Sequence, residues 1–463
     1  IIRDITPETI LEEWVPVDTL TGVRVSICNS KGKLLLSWEP EPNEIKEVPE
    51  PAKAALDPKD IRTTEQLYLT GLHLEQYRHA TYSATDYYEE ALSRDPDDVR
   101  NNNAMGFWLI RKGQFAKAEP YLRRAVKTLT EKNPNPYDGE PLYNLGLSLK
   151  YQGKTDEAYD CFYKACWNAA WQDAGYYSLA QLSASKGNWE EALYEIDKSL
   201  LRNWHNLRGR HLKAVVLRHL GRVDEALALI RESLAIDRFN FGCSFEEYLL
   251  TGEKAVLDDL LVRMRSEGHN YEELSLDYAS AGCWEEALKV VEVAFEVVVS
   301  ERTLLYYYKS WFLLSLDRLK EAEMAICVAE HQPADCCFPN TLEAIMALQA
   351  VIRFADVAPK AHYYLGNLWY DKRQYPEAVA EWEKSVEQDD TFPTVLRNLS
   401  LAYFNKLNKQ QGAVVLLERA FKLDIRDARI LMELDQLYKR LNRSHADRLD
   451  LLDKLKDVAF SRD

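Results

Sequence analysis

Eight cysteines and nine histidines are the side chains in this sequence best suited to hold a metal or run redox chemistry. Their spacing points away from both. There is no Cys-x-x-Cys, Cys336 and Cys337 are adjacent, and Cys161 and Cys166 fall in one helical stretch. His211 and His219 stand eight apart with no thiol or carboxylate cluster beside them. Sequence-local zinc sites need closely spaced donors on both sides of a turn. Reduced, buried thiols account for these cysteines better, so the expectation is no metal and no cofactor. Enzyme signatures are missing as well: no Gly-x-Ser-x-Gly, no His-Glu-x-x-His, no phosphate-binding glycine loop and no dinucleotide fingerprint. Acids are abundant, but a charge run on an amphipathic helix is usually a solvated face. The chain therefore reads as a binding protein rather than an enzyme. The cluster His73, Glu75, Gln76, Tyr77, Arg78, His79 reads as a polar helix end, and Trp167 and Trp171, four apart, read as packing.

The 463 residues carry a net charge of −16, which repels phosphate backbones and disfavours nucleic acid as a partner. No apolar run reaches the roughly 18 residues that cross a bilayer, and the start shows no basic-then-apolar signal. With thiols read as reduced, the expected location is cytoplasmic. The chain opens on Ile1 with strand-like sequence, and both ends look cut from a longer protein.

These side chains must be positioned by some set of elements, and the pattern changes along the chain. Residues 23–28, Val-Arg-Val-Ser-Ile-Cys, alternate strictly, a turn cluster follows, and Leu34–Trp38 forms a second short run. This predicts a β-hairpin, marginal by itself. It is read as the 1–39 remnant of an upstream domain. Residues 40–60, with Pro40, Pro42, Pro49, Pro51 and Pro58, read as a semi-rigid linker. From 61 to 457 the period is helical, and 458–463 is a tail.

Within that helical stretch one small residue recurs: Ala84, Ala118, Ala158, Ala192, Ala226, Ala287, Ala322, Ala378 and Ala413, at intervals of 34, 40, 34, 34, 61, 35, 56 and 35. Four residues on, each has a bulky apolar partner, from Tyr88, Leu122 and Phe162 to Trp382 and Leu417. Seven on comes another small residue, and five before stands glycine in five of the nine units: Gly113, Gly153, Gly187, Gly221 and Gly282. Helices that cross closely need small side chains at the crossing and a bulky one in the adjoining hole. The glycine ends the first helix in a left-handed conformation. One pair cannot bury its apolar face, so pairs stack. The long intervals predict divergent helices near 244–266 and 340–353.

These columns resemble the tetratricopeptide repeat over about residues 64–441. The resemblance implies an all-α solenoid of helix pairs wound into a right-handed superhelix, here with a small N-terminal β-hairpin. The stretches Gly71–Ala80, Phe338-Pro339-Asn340, His362–Asn367 and Glu433–Tyr438 also look like a bacterial family of large proteins. In that family a galactose-mutarotase-like β-sandwich of unknown function precedes a tetratricopeptide array, which implies a carbohydrate-linked parent.

In such arrays the first helix of each pair lines a concave surface. Residues three before, one after and four after its small residue share one face. This selects Asn103, Phe107, Tyr143, Lys150, Tyr177, Gln181, His211, Arg218, Tyr307, Trp311, Tyr363, Asn367, Tyr370 and Arg397. The stripe is aromatic and mildly basic on an acidic chain. It suits an extended peptide or acidic tail of a protein partner, or the chain's own β domain; its rings would also suit the C–H faces of a carbohydrate, the repeats then shaping a glycan cleft with the upstream β-sandwich of a carbohydrate-binding or carbohydrate-active protein.

Overall fold

The computed structural model describes residues 2–4, 11–41, 50–51, 53–77, 79, 81–299, 303–334 and 337–461. Pro42, Pro49, Arg78, Ala80 and Cys336, named above, lie outside them. The chain divides into two units, residues 1–60 and 61–463.

In the first unit, β1 (Val25–Cys28) pairs antiparallel with β2 (Leu34–Trp38). Val25 faces Trp38 and Ile27 faces Leu36, and a register shift between Ile27 and Cys28 sets Cys28 opposite Leu34. The turn is built by Asn29, whose Oδ1 accepts from the Lys31 and Lys33 amides at 3.0 and 2.9 Å. Every strand residue is exposed, so the two strands bury no core of their own.

The second unit is helical. Its pairs are α1 (Thr64–Gln76) with α2 (Ala84–Arg94), α3 (Val99–Arg111) with α4 (Phe115–Thr130), α5 (Glu140–Tyr151) with α6 (Thr155–Ala165), and α7 (Gln172–Ser185) with α8 (Trp189–Arg202). Then come α9 (Leu207–His219) with α10 (Val223–Ile236), α11 (Phe241–Thr251) with α12 (Lys254–Met264), α13 (Gly268–Ser280) with α14 (Trp284–Val297), and α15 (Thr303–Ser315) with α16 (Leu319–His331). A single helix, α17 (Leu342–Phe354), interrupts the series. It is followed by α18 (Pro359–Asp371) with α19 (Tyr375–Gln388), α20 (Pro393–Lys406) with α21 (Gln410–Leu423), and α22 (Ala428–Arg440) with α23 (His445–Lys454) and the short α24 (Lys456–Ala459).

First and second helices start differently. Several first helices carry a side-chain cap: Asp98 accepts from the Asn101 amide at 2.9 Å, Asn206 from Gly209 at 2.9 Å and Asn240 from Cys243 at 3.1 Å. Second helices such as α6, α8, α10 and α14 have no such cap. They hold acids in the first turn instead: Asp156 and Glu157, Glu190 and Glu191, Asp224 and Glu225, Glu285 and Glu286. Negative charge at that end complements the exposed amides.

The tight turn inside each pair explains the difference. Gly113, Gly153, Gly187, Gly221 and Gly282 take φ of +74°, +75°, +75°, +71° and +73°. The next amide reaches back five residues, as in Gln114 N to Leu109 O at 2.9 Å and Arg222 N to Leu217 O at 2.9 Å. Helix exit and helix entry are thus one hydrogen-bonded unit.

The alanine column is interior: eight of the nine are fully buried, and Ala84 is 7% exposed. The bulky residue four later sits on the small residue of the preceding helix. A Cβ added to Gly106 would lie 2.4 Å from Leu122, one on Gly146 2.7 Å from Phe162, and one on Gly366 2.4 Å from Trp382. Backbone and ring approach there as closely as a missing side chain permits. No helix among the described residues is long and apolar enough to cross a membrane.

Candidate ligand-binding cleft

The stripe residues lie along the first helices, and most already have a partner within the array. Asn103 is buried and accepts from the Asn144 amide at 2.9 Å. Phe107 lies under the Arg111 guanidinium, 5.0 Å away. Tyr143 stacks on Trp171 at 4.8 Å. Tyr307 is buried and donates to Glu330 at 2.8 Å. Tyr363 packs edge-on to Phe392 at 4.8 Å, and Asn367 accepts from the Trp382 indole at 3.1 Å. Tyr370 meets Tyr375 at 5.0 Å, and Arg397 pairs with Glu433 through its Nε at 2.6 Å. Apart from Phe107 and Arg111, both in α3, these contacts run between neighbouring elements.

A second group joins repeats far apart in sequence. Lys150 donates to Gln181 at 2.6 Å, and Gln181 donates to Ser280 of α13 at 2.7 Å. Tyr177 and His211 border one small internal space with Arg208, Asp277 and Tyr278. Tyr151 donates to Glu343 of α17 at 3.0 Å, and Lys117 pairs with Glu377 of α19 at 2.7 Å. Gly113 is pressed against the same later helices: an added Cβ would meet Ile345 at 2.4 Å and Trp369 at 2.9 Å. The array curls until its second, third and fourth pairs touch helices α13, α17, α18 and α19.

Burial at this inner seam shifts its ionisable groups. Desolvation lowers Lys150 to about 8, against the opposing pull of Glu343. His211 is held down to about 3 by burial, with Arg218 and Arg208 adding to the effect. Asp277 is pushed up to about 7, chiefly by burial, although Arg208 opposes the shift.

Where the seam opens, it leaves a cavity of about 620 Å³. The α3–α4 and α5–α6 turns form one wall, through Gly113, Gln114, Phe115, Tyr151 and Gln152. Trp311 of α15, Met346, Gln349 and Arg353 of α17, and Trp369 of α18 form the other. Phe115 and Tyr151 stack at 4.6 Å with planes 10° apart, giving a flat aromatic floor. Arg353 is exposed. Lys112, next to the lining residue Gly113, is held below the usual ammonium range by burial and by the nearby Arg373, Arg111 and Lys372. Arg111 is ion-paired with Glu75 and Lys372 lies 3.9 Å from Asp371, which opposes the shift of Lys112, so the positive charge here is compensated in part.

Of the stripe, only Trp311 lines this cleft. The other lining residues escape sequence reasoning because they come from turns, from α18 off the stripe and from the divergent α17, and their meeting depends on how the array curls. The one local signal is the recurrent turn glycine, which marks where backbones come close.

Two family models described as tetratricopeptide repeat match residues 139–166 and 340–392, which cover α5–α6 and α17–α19. Tetratricopeptide repeat protein 7A of Homo sapiens is 33% identical over 99 residues, 21% of this chain, and the match spans 11% of that protein. Among solved structures, the MamA protein aligns over 37% of this chain and 91% of its own at 21% identity, with a TM-score of 0.33. A tetratricopeptide repeat protein from Parabacteroides merdae aligns over 66% of this chain and 98% of its own at 15% identity, with a TM-score of 0.29. With the buried alanine column and the glycine turns already placed, the helical unit of this chain is a tetratricopeptide-repeat α-solenoid.

Proposed function

We propose that the solenoid is a protein-interaction scaffold, and that the 620 Å³ cleft takes an acidic, aromatic-bearing peptide segment of a protein partner. One observation carries the reading: four aromatic rings, Phe115, Tyr151, Trp311 and Trp369, are gathered with Arg353 in one cleft of a chain whose net charge is −16. Rings bury apolar side chains, glutamines hold a peptide's amides, and the cations of Arg353, Lys112 and Arg373 favour carboxylates. The stripe residues that keep some exposure, Phe107, Tyr143 and Tyr370 among them, are the ones able to extend the surface.

Titrating the protein with labelled acidic, neutral and basic peptides tests this. Acidic peptides should bind best and weaken with salt, and Trp369→Ala and Arg353→Glu should each weaken them about tenfold or more. Equal binding of all three peptide classes, or binding indifferent to both substitutions, defeats the reading. A glycan occupant is the second reading, supported by the stacked Phe115–Tyr151 floor, on which sugar C–H faces can lie. A glycan array whose hits vanish with Trp369→Ala would favour it.

A further inference from the structure

His219, the last residue of α9, and Glu286, in the first turn of α14, meet Cys283 at the N-cap of α14. Sequence spacing gives no hint of this, because 64 residues separate His219 from Cys283. Their donor atoms lie within 4.8 Å of one another, and no other group of three His, Cys, Asp or Glu among the described residues is so gathered. We propose that His219, Cys283 and Glu286 form a zinc-binding site.

The donor set is one imidazole, one thiol and one carboxylate, which matches the borderline-soft character of zinc better than that of calcium or magnesium. A tetrahedral zinc with bonds of about 2.0–2.3 Å holds its donors about 3.3–3.8 Å apart. The three donors, within 4.8 Å of one another, would draw together by about 1 Å to reach that spacing.

Each ligand is held by a neighbour. The His219 ring stacks on Trp189 with centroids 4.0 Å apart and planes 5° apart, and its Nε2 points at Glu286 Oε1, 2.9 Å away. Arg218 holds Glu286 by the same oxygen at 2.8 Å. That guanidinium is shared with Glu246, at 2.7 Å, so two carboxylates face one cation. Cys283 is 5% exposed, and its thiol donates to the Ala281 carbonyl at 3.8 Å, a weak bond that zinc would replace.

Binding balances simply. The thiol gives its proton to solvent and becomes a thiolate. The imidazole carries its proton on Nδ1 and ligates through Nε2. Arg218 and Glu286 also line a cavity of about 440 Å³, which gives the ion a way in and a water its place as fourth ligand.

The test uses the whole chain, stripped with a chelator and titrated with Zn²⁺ against a chromogenic competitor. One equivalent should bind tightly, and His219→Ala and Cys283→Ser should each weaken it at least tenfold. Circular dichroism checks that both variants remain helical. Co²⁺ in the wild-type protein should give a near-ultraviolet thiolate charge-transfer band that Cys283→Ser abolishes. The proposal fails if the wild-type chain keeps no zinc against the competitor. It fails equally if both variants retain zinc as well as the wild type, or if cobalt binds with no thiolate band.

Discussion

At the scale of single residues, the turn inside each helix pair is the most exacting position in the array. Asp317, Arg373 and Asn408 stand where other pairs place glycine, and they take φ of +58°, +60° and +55°. A side chain in that region costs about 1–2 kcal/mol, less for asparagine, which tolerates it. Asp317→Gly should therefore stabilise the chain by about 0.5–1 kcal/mol in urea denaturation, and Asn408→Gly should change it little. The reverse substitutions separate strain from contact. Gly153 has open space around its missing Cβ, whereas Gly113 faces Ile345 and Trp369. Gly153→Ala should cost about 1 kcal/mol and Gly113→Ala about 2–4 kcal/mol, because the second adds overpacking to the same backbone strain. Asp277 gives a pH signature. Its folded pKa, about 7, lies above the unfolded carboxylate value, so the native state holds the proton longer. The stabilisation this provides is complete below about pH 4 and is lost as pH rises through about 7. His211, held down to about 3, acts in the opposite sense, costing stability as pH falls below about 6.5. Comparing the wild type with Asp277→Asn isolates the first effect: the stability advantage of the wild type should shrink between about pH 4 and pH 7 and stay level above.

At the scale of helices, the pattern of small and bulky residues is the architecture. Ala158 and Ala192 sit at crossings with no exposed surface, so Ala158→Leu or Ala192→Leu should destabilise by about 1–3 kcal/mol. An unchanged thermal midpoint would count against the crossing geometry. This layer is legible from sequence because it depends on local periods: Ala158, Phe162 and Ala165 share one face of one helix, and Gly146 lies one turn unit upstream. The hairpin is legible for the same reason, from the alternation of Val25 to Cys28. Helices α11, α12 and α17 show only as gaps in the column, since they lack the small-residue signature. The cleft is harder still. Tyr151 and Glu343 are 192 residues apart, and nothing in either helix's own pattern announces the other. His219 and Cys283 are hidden in the same way, each unremarkable in its own helix.

At the scale of the whole solenoid, the contacts across the seam change how the repeats depend on one another. In an open array each pair answers only to its neighbours. Here Gly113 rests on Ile345 and Gln181 is bonded to Ser280, so distant pairs share their stability. Ile345→Ala should cost about 2–5 kcal/mol, and amide exchange should quicken in α3 and α5 as well as in α17. Exchange confined to α17 and its two sequence neighbours would show that the repeats stay independent. The bond from Tyr151 to Glu343 also carries a consequence for how such a gene can change. Duplicating or deleting one helix pair leaves an ordinary solenoid longer or shorter but intact. Between residues 155 and 340 the same event would carry one side of this clasp past the other, so the number of units in that stretch is fixed by geometry rather than left to drift.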